Sequence, residues 1–348
     1  MAQVKAVVYA ALGELPALTE VADPACPPDG VVVDVVATGV CRSDWHAWRG
    51  HDPVTLPHVP GHEYAGTIAE VGSAVTRCSV GDRVTVPFVL GCGVCAHCRA
   101  GAAQVCPDQL QPGFTLPGSF AERVAVPRAD HNVVGLSDAV SFAAAASLGC
   151  RFATAYRAVV AHGQVGEGTW VAVHGCGGVG LSAVMIATAL GAKVVAVDVS
   201  GPALEAALSL GAVSVVDSSH VVDVVAAVHV RTDGGAHVSL DAIGDPAVAA
   251  ASISCLRPRG RHVQVGLLVG GDAPTPLPMD LVVARELSVL GSHGMPAVDY
   301  PAMLELVASG ALDPERLVAR RIGLDQAGAA IAAMDHPAGG AGITLVEL

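Results

Sequence analysis

The spacing of apolar and polar residues divides the chain into two stretches. Over residues 1–135 short valine-rich runs (VKAVVYA, VVVDVVATGV, GTIAEVG, DRVTVP, ERVAVP) are separated by Gly, Pro and Asp. Such runs bounded by turn residues predict strands. From about residue 152 strand-like and helix-like runs alternate. WVAVHG precedes GVGLSAVMIATAL, and KVVAVD precedes PALEAALSL, with Gly211 just past its end as a helix stop. HVSLDAIG precedes PAVAAASISCL, and RHVQVGL and ELSVLGS follow. This alternation predicts βαβ units and a parallel sheet. After about 294, the helical YPAMLELVASG and the strand ITLVEL are expected to return to the first domain. No internal repeat or low-complexity linker is visible.

Composition narrows the class. A chain of 348 residues favours two domains. With 52% hydrophobic and 15% charged residues it is globular rather than disordered. A net charge of −13 argues against nucleic acid or an anionic membrane as partner. The N-terminal MAQVKAVVYA does not read as a signal peptide. Residues 170–192 carry no Asp, Glu, Lys or Arg and are long enough to span a bilayer, but their glycines and strand-like start oppose a membrane helix. The expectation is a cytoplasmic protein. In a reducing compartment its ten cysteines favour metal over disulfides.

Cys92, Cys95, Cys98 and Cys106 are spaced Cys-x2-Cys-x2-Cys-x7-Cys. Four sulfurs at about 2.3 Å from zinc form a closed, structural site. The rival is an iron–sulfur run, which shares the first two spacings and the following Pro107 but has three residues, not seven, in its last interval. A loop without metal is the third reading. His97 is taken as an exposed loop residue. Three dispersed segments, CRSDWH, GHEYAGTIAEVG and SLGCRFATAY, supply further ligand types. An open zinc site needs three protein ligands, and Cys2His is one solution. On spacing alone, Cys41 and Cys150 read more readily as small core thiols and His62 as an ordinary hydrogen-bonded histidine than as a ligand trio.

VAVHGCGGVGLSAV places Gly175, Gly177 and Gly180 in a G-x-G-x-x-G run between a strand and a helix. Asp198 ends the next strand eighteen residues on. This context indicates a dinucleotide turn: a tight first glycine, a second that admits pyrophosphate, and a third that packs helix on strand. Gly178 and Val179 open the helix whose N–H groups face the phosphates. Asp198 should accept from both ribose hydroxyls and repel a 2′-phosphate. Val199, Ser200 and Gly201 offer no cation, so NAD is expected over NADP.

These motifs together resemble the zinc-dependent medium-chain alcohol dehydrogenase family from end to end. Gly61–Gly72 matches its zinc signature, the four-cysteine loop its structural lobe, and the glycine run its cofactor site. The resemblance implies an α/β chain: a GroES-like, mostly-β catalytic domain (1–151 and 294–348) and a doubly wound Rossmann domain (152–293). It implies two zinc ions and NAD. Cys41, His62 and Cys150 would hold catalytic zinc, with Glu63 behind it and Asp44 fixing the His62 tautomer. Ser43 and His46 would relay the alcohol proton by way of the cofactor ribose. Arg42 would meet the pyrophosphate. Phe88 would line the substrate pocket, and Trp45 and Trp48 lie near the site, where they either narrow the pocket, Trp45 as a second lining residue, or pack against the domain. The implied reaction is hydride transfer between NAD and a primary alcohol, medium-sized or aromatic, by a homo-oligomer, a tetramer rather than a dimer. Secondary-alcohol and polyol dehydrogenases are the nearest alternatives. Cys150 and the full lobe oppose the polyol branch, and Cys150 also opposes the formaldehyde-type branch. The cysteine sets oppose zinc-free quinone reductases, and the intact ligand and relay residues oppose a non-catalytic NAD-binding protein. One departure stands out: Gly342 occupies the place of an arginine that binds pyrophosphate in many relatives.

Overall fold

A computed structural model describes residues 2–268, 275–335 and 341–348. The chain forms two compact units, Met1–Ala153 with Gly294–Ala338 and Ile343–Leu348, and Thr154–His293 with Gly339–Gly342.

The first unit is mostly β. Its early strands are β1 (Gln3–Val8), β2 (Ala17–Ala22), β3 (Val31–Val40), β4 (Glu63–Val71), β5 (Arg83–Thr85), β6 (Arg123–Val126) and β7 (Val134–Gly135). β1 and β2 form an antiparallel pair. β3 is buried along nearly its whole length, and its Val31, Val33 and Val35 meet Tyr64, Ile68 and Val124 in one apolar core. β3 runs antiparallel to β4, with Gly39 opposite Glu63. That register sets the end of β3 beside the start of β4, so Cys41 and His62 become neighbours although 21 positions separate them. The segment Phe142–Ser147 is helical, capped by the Ser141 hydroxyl, which accepts from the Ala144 N–H at 3.0 Å. It continues into a π-helical turn, Leu148–Phe152.

The second unit contributes β8 (Trp170–His174), β9 (Lys193–Asp198), β10 (Ser214–Asp217), β11 (Ala236–Asp241), β12 (Leu256–Gln264) and β13 (Ser288–Gly291). Among the described residues they pair in parallel in the order β10-β9-β8-β11-β12-β13. The order reverses between β8 and β11, and open α/β sheets bind ligands at such a point, beyond the strand carboxyl ends. Helices Gly178–Ala189, Gly201–Ser209, Val224–Arg231 and Pro246–Ser254 separate the first strands. Gly211 follows the second of these helices with φ 105°, the left-handed position of a helix stop. Val195, Val216, Val228, Ile253 and Leu256 join the core of this unit.

The chain returns to the first unit with a helix, Tyr300–Ala308, and two strands, β14 (Val318–Gly323) and β15 (Ile343–Glu347). β15 pairs antiparallel with β3, so ITLVEL closes the sheet that carries Cys41. Among the described residues no helix is long and apolar enough to cross a membrane.

Candidate metal centres and nucleotide site

Ligand atoms of Cys41, His62, Glu63 and Cys150 lie within 4.8 Å of one another. Cys41 follows β3 and caps the helix Arg42–Trp48, whose third residue, Asp44, is buried. One Asp44 carboxylate oxygen accepts from the Cys41 N–H at 2.9 Å. The other accepts from the Gly61 N–H at 3.1 Å and lies 3.0 Å from His62 Nδ1. The single carboxylate thereby ties both strand ends and makes Nδ1 the protonated nitrogen. His62 Nε2 is left buried with no hydrogen-bond partner. A buried orphan lone pair is costly unless something binds it. Together with two thiols it is the donor set that suits zinc.

The two thiols of this cluster are pushed in opposite directions. The Cys41 thiol is held well below its ordinary pKa, first by its hydrogen bond with Cys150 and then, against burial, by His62 and Arg151. The Cys150 thiol is pushed well above it by the same hydrogen bond and by burial. Glu63 is wholly buried and faces Arg151, next along from Cys150. Arg151 donates its backbone N–H and Nε–H to one Glu63 oxygen, each at 3.0 Å, and Nη2 to the other. Burial raises the Glu63 pKa and the guanidinium opposes that rise. Gly39 and Gly149 make room for the pair, because a Cβ at Gly39 would overlap the Glu63 carboxylate and one at Gly149 would come within 2.8 Å of the Glu63 Cα.

Cys92, Cys95, Cys98 and Cys106 form the second cluster. Their sulfurs stand 3.9 Å apart for Cys92–Cys98 and 3.8 Å for Cys95–Cys106. A tetrahedron with bonds of about 2.3 Å has edges of about 3.8 Å, so this is the spacing of a closed zinc site, and it is far too wide for a disulfide. Backbone N–H groups of Cys92, Cys95 and Cys98 point at the sulfurs of Cys106, Cys92 and Cys95, at 3.3–3.4 Å. Backbone donors from Val94 and Cys95 bring the Cys92 pKa down to about 6, while burial pushes Cys98 up to about 12 and raises Cys106. Thiolates, not thiols, bind metal.

In the second unit, the glycine turn follows β8. Gly175 has φ 90°, and a Cβ there would overlap Ile243. A Cβ at Gly180 would overlap the Gly175 carbonyl oxygen, so this glycine is needed for packing. A Cβ at Gly177 would meet nothing within 4 Å, so no protein contact demands a glycine there. Open space in front of Gly177 suits a ligand that approaches the backbone closely. Gly178 and Val179 form the first turn of the helix, which Gly177 precedes. The Asp198 carboxylate accepts from the Cys176 N–H at 2.6 Å and the Ser200 N–H at 2.8 Å. These bonds fix it beside the turn.

Two models of known families match the chain. The alcohol dehydrogenase GroES-like domain matches residues 27–138, and the zinc-binding dehydrogenase model matches residues 178–309. An alcohol dehydrogenase of Geobacillus stearothermophilus is 36% identical over 84% of this chain and 85% of its own length. The chain belongs to the zinc-dependent medium-chain alcohol dehydrogenase family. An L-threonine 3-dehydrogenase of Rhizobium johnstonii is 32% identical over 87% of each chain. The solved alcohol dehydrogenase of Thermus sp. ATN1 superposes with a TM-score of 0.91 at 32% identity, covering 99% of both chains. The chain therefore pairs a GroES-like domain with a Rossmann sheet.

The remaining candidate residues fall into two groups. Ser43 and Phe88 sit at the open cluster: Ser43 Oγ lies 3.8 Å from Cys41 Sγ, and the Phe88 ring stands 6.1 Å from the His62 ring. Arg42, Trp45 and His46 form a separate group on the helix after Cys41. Arg42 lies 3.7 Å over the Trp45 ring and donates to the Met334 carbonyl at 2.6 Å. Trp45 donates its Nε1–H to Asp335 at 2.7 Å, and Trp48 is core. Gly342 has φ 108°, so an arginine at that position would be strained. Sequence reasoning did not find Arg151, Phe114 or Asp241. The Phe114 ring lies 5.1 Å from His62. Asp241 accepts from the Ile243 and Gly244 N–H groups and from Gln264, and so sets the loop that borders Gly175.

Proposed function

We propose that this chain is an NAD-dependent alcohol dehydrogenase that interconverts primary alcohols, medium-sized or aromatic, with their aldehydes. The observation that carries the reading is the orphaned His62 Nε2 gathered with two thiols beside a hydroxyl. Zinc held by Cys41, His62 and Cys150 would supply Lewis acidity, which lowers the pKa of bound water from 15.7 to about 7 and acts on an alcohol in the same sense. Asp44 holds the imidazole in the tautomer that leaves Nε2 free. Arg151 grips Glu63 behind the ligands. Ser43 takes the alcohol proton and His46 hands it toward solvent. Asp198 would bind the ribose hydroxyls of NAD, which when bound would supply the hydride acceptor, and its charge disfavours a 2′-phosphate. Gly175, Gly177, Gly178, Val179 and Gly180 shape the pyrophosphate turn. With Gly342 in place of an arginine, Arg42 carries the remaining pyrophosphate contact. The Cys92–Cys106 loop holds a second, structural zinc. By resemblance, the enzyme works as a cytoplasmic homo-oligomer, a tetramer before a dimer.

Two phenylalanine rings against His62 support an apolar or aromatic substrate. Apolar contacts discriminate by only about 1–3 kcal/mol per methylene, so specificity should be broad. The test is NADH or NADPH formation by absorbance over a panel from ethanol to benzyl alcohol, 2-butanol, threonine and sorbitol. Turnover with NAD on primary alcohols is expected, greatest for benzyl alcohol or its aliphatic equals in size. Turnover confined to threonine, sorbitol or 2-butanol, or preference for NADP, would refute the substrate or cofactor assignment respectively.

A further inference from the structure

The helix Arg42–Trp48 ends in a motif that pairs two imidazoles. Arg49 is its C-cap. The Gly50 N–H donates to the Ala47 carbonyl at 3.0 Å and the His51 N–H to the His46 carbonyl at 2.9 Å. Gly50 adopts φ 79°. These are the two bonds and the left-handed residue of a Schellman stop, which brings the residue after the glycine against the one five positions before it. Those residues here are His51 and His46. Their Nδ1 atoms lie 3.0 Å apart, within hydrogen-bond distance, with ring centroids 5.2 Å apart. One Nδ1 must donate and the other accept, so a proton lies between the rings.

The pair is braced. Trp45 meets both imidazoles edge-on, at 5.0 Å and 5.3 Å. Trp45 is itself held by Asp335 and covered by Arg42. His46 is partly buried and His51 is exposed, so the pair leads outward. The charged groups acting on His46 are Arg42 and His51, which lower its pKa with burial, and Asp52 and Cys41, which raise it. Arg49 and Asp335 pair at the same helix end.

We propose that His51 is the outer proton carrier of the alcohol oxidation, taking from His46 the proton released by the substrate and giving it to water. The proposal rests on the dehydrogenase reading above. Oxidation sends a hydride to NAD and leaves one proton to remove. His46 gains that proton at Nε2 and passes its Nδ1 proton to His51 Nδ1. His51, doubly protonated, loses its Nε2 proton to solvent; both rings then stand in the opposite tautomer, and solvent exchange at Nε2 of the partly buried His46 and of His51 restores the pair. No further oxidant or base is needed.

The experiment compares wild type with His51→Gln and His46→Gln, each loaded with zinc. The readout is the pre-steady-state burst of NADH against pH, which slow product release does not mask. In H51Q the burst rate should fall about tenfold near pH 6 and recover to within about twofold near pH 9, where hydroxide replaces the carrier. Added imidazole should restore H51Q at the lower pH. H46Q should be slower, and H46Q/H51Q no slower than H46Q alone. Independently of turnover, histidine proton NMR should show the His46 pKa rise in H51Q as its cationic neighbour is lost. A pH-independent loss in H51Q with no imidazole rescue, additive losses in the double variant, or an unmoved His46 titration each overturn the proposal. A wild-type enzyme inactive on every alcohol overturns the dehydrogenase reading, and this proposal with it.

Discussion

Replacing Arg151 by Met should destabilise the first unit severely, while replacing Glu63 and Arg151 together should not. The Glu63 side chain is 0% exposed and that of Arg151 only 11%. Two of the three donors that Arg151 gives to Glu63 come from its guanidinium. Met keeps the backbone N–H and most of the side-chain volume but strips the carboxylate of its counter-charge. Leaving a buried charge unpaired costs about 3–5 kcal/mol, whereas exchanging a whole buried pair for well-packed neutral groups is often near neutral. For a unit of this size each kcal/mol shifts the midpoint by about 2–4 °C, so R151M should melt about 6–20 °C lower. The assay is thermal unfolding of zinc-loaded protein at one scan rate, for wild type, R151M, E63Q/R151M and R151K. R151M should be lowest and the double variant close to wild type, with R151K between them because it keeps the charge and loses the fork. An R151M midpoint within about 2 °C of wild type, or a double variant as low as R151M, would refute the argument that the pair is held by mutual charge.

Two further predictions concern the second unit. Asp198→Ala removes the carboxylate fixed by the Cys176 and Ser200 N–H groups, and the ratio of kcat/KM for NAD over NADP should fall at least about tenfold, read by reduced-cofactor absorbance; an unchanged ratio would show that another group selects the cofactor. His174 is buried in β8 and burial lowers its pKa to about 3. Its neutral form is therefore favoured by folding, so its contribution is full above about pH 6.5 and is lost as pH falls from there toward about 3, by up to about 1.4 kcal/mol per unit. His174→Leu should flatten the acid limb of the denaturation midpoint against pH, and an unchanged limb would assign acid sensitivity to other groups.

The fold was legible where a residue type has one physical use. Valine runs between turn residues marked β1, β3 and β4, and strand–helix alternation marked the parallel sheet. The glycine turn was readable because strand, helix and distant acid stand in fixed order around it. β2 and β10 were not visible, the first because it is almost wholly exposed, whereas valine runs still marked the short β5, β6 and β13. The helix and π turn around Cys150 lay in an alanine-rich run with little polar punctuation. The four-cysteine loop could be read locally, since all its ligands fall within fifteen positions. The partners of Glu63 and His62 could not. Arg151 is 88 positions from Glu63, and Phe114 reaches His62 only through the folded sheet. Resemblance supplied Cys150, which spacing alone had left open. The His46–His51 pair had a local signal, a glycine between them at a helix end, but its geometry depends on the stop motif.

The two cysteine sites should divide the labour, with chemistry at Cys41, His62 and Cys150 and a structural staple at Cys92–Cys106. Bound zinc and NADH formation measured on the same samples, for wild type, Cys41→Ala and Cys98→Ser, test it most directly. Wild type should hold two zinc ions per chain. C41A should lose one and its turnover while keeping its circular dichroism and NAD binding, and C98S should lose the other zinc together with thermal stability or assembly. Full turnover by C41A, or wild-type stability and assembly in C98S, would contradict the account.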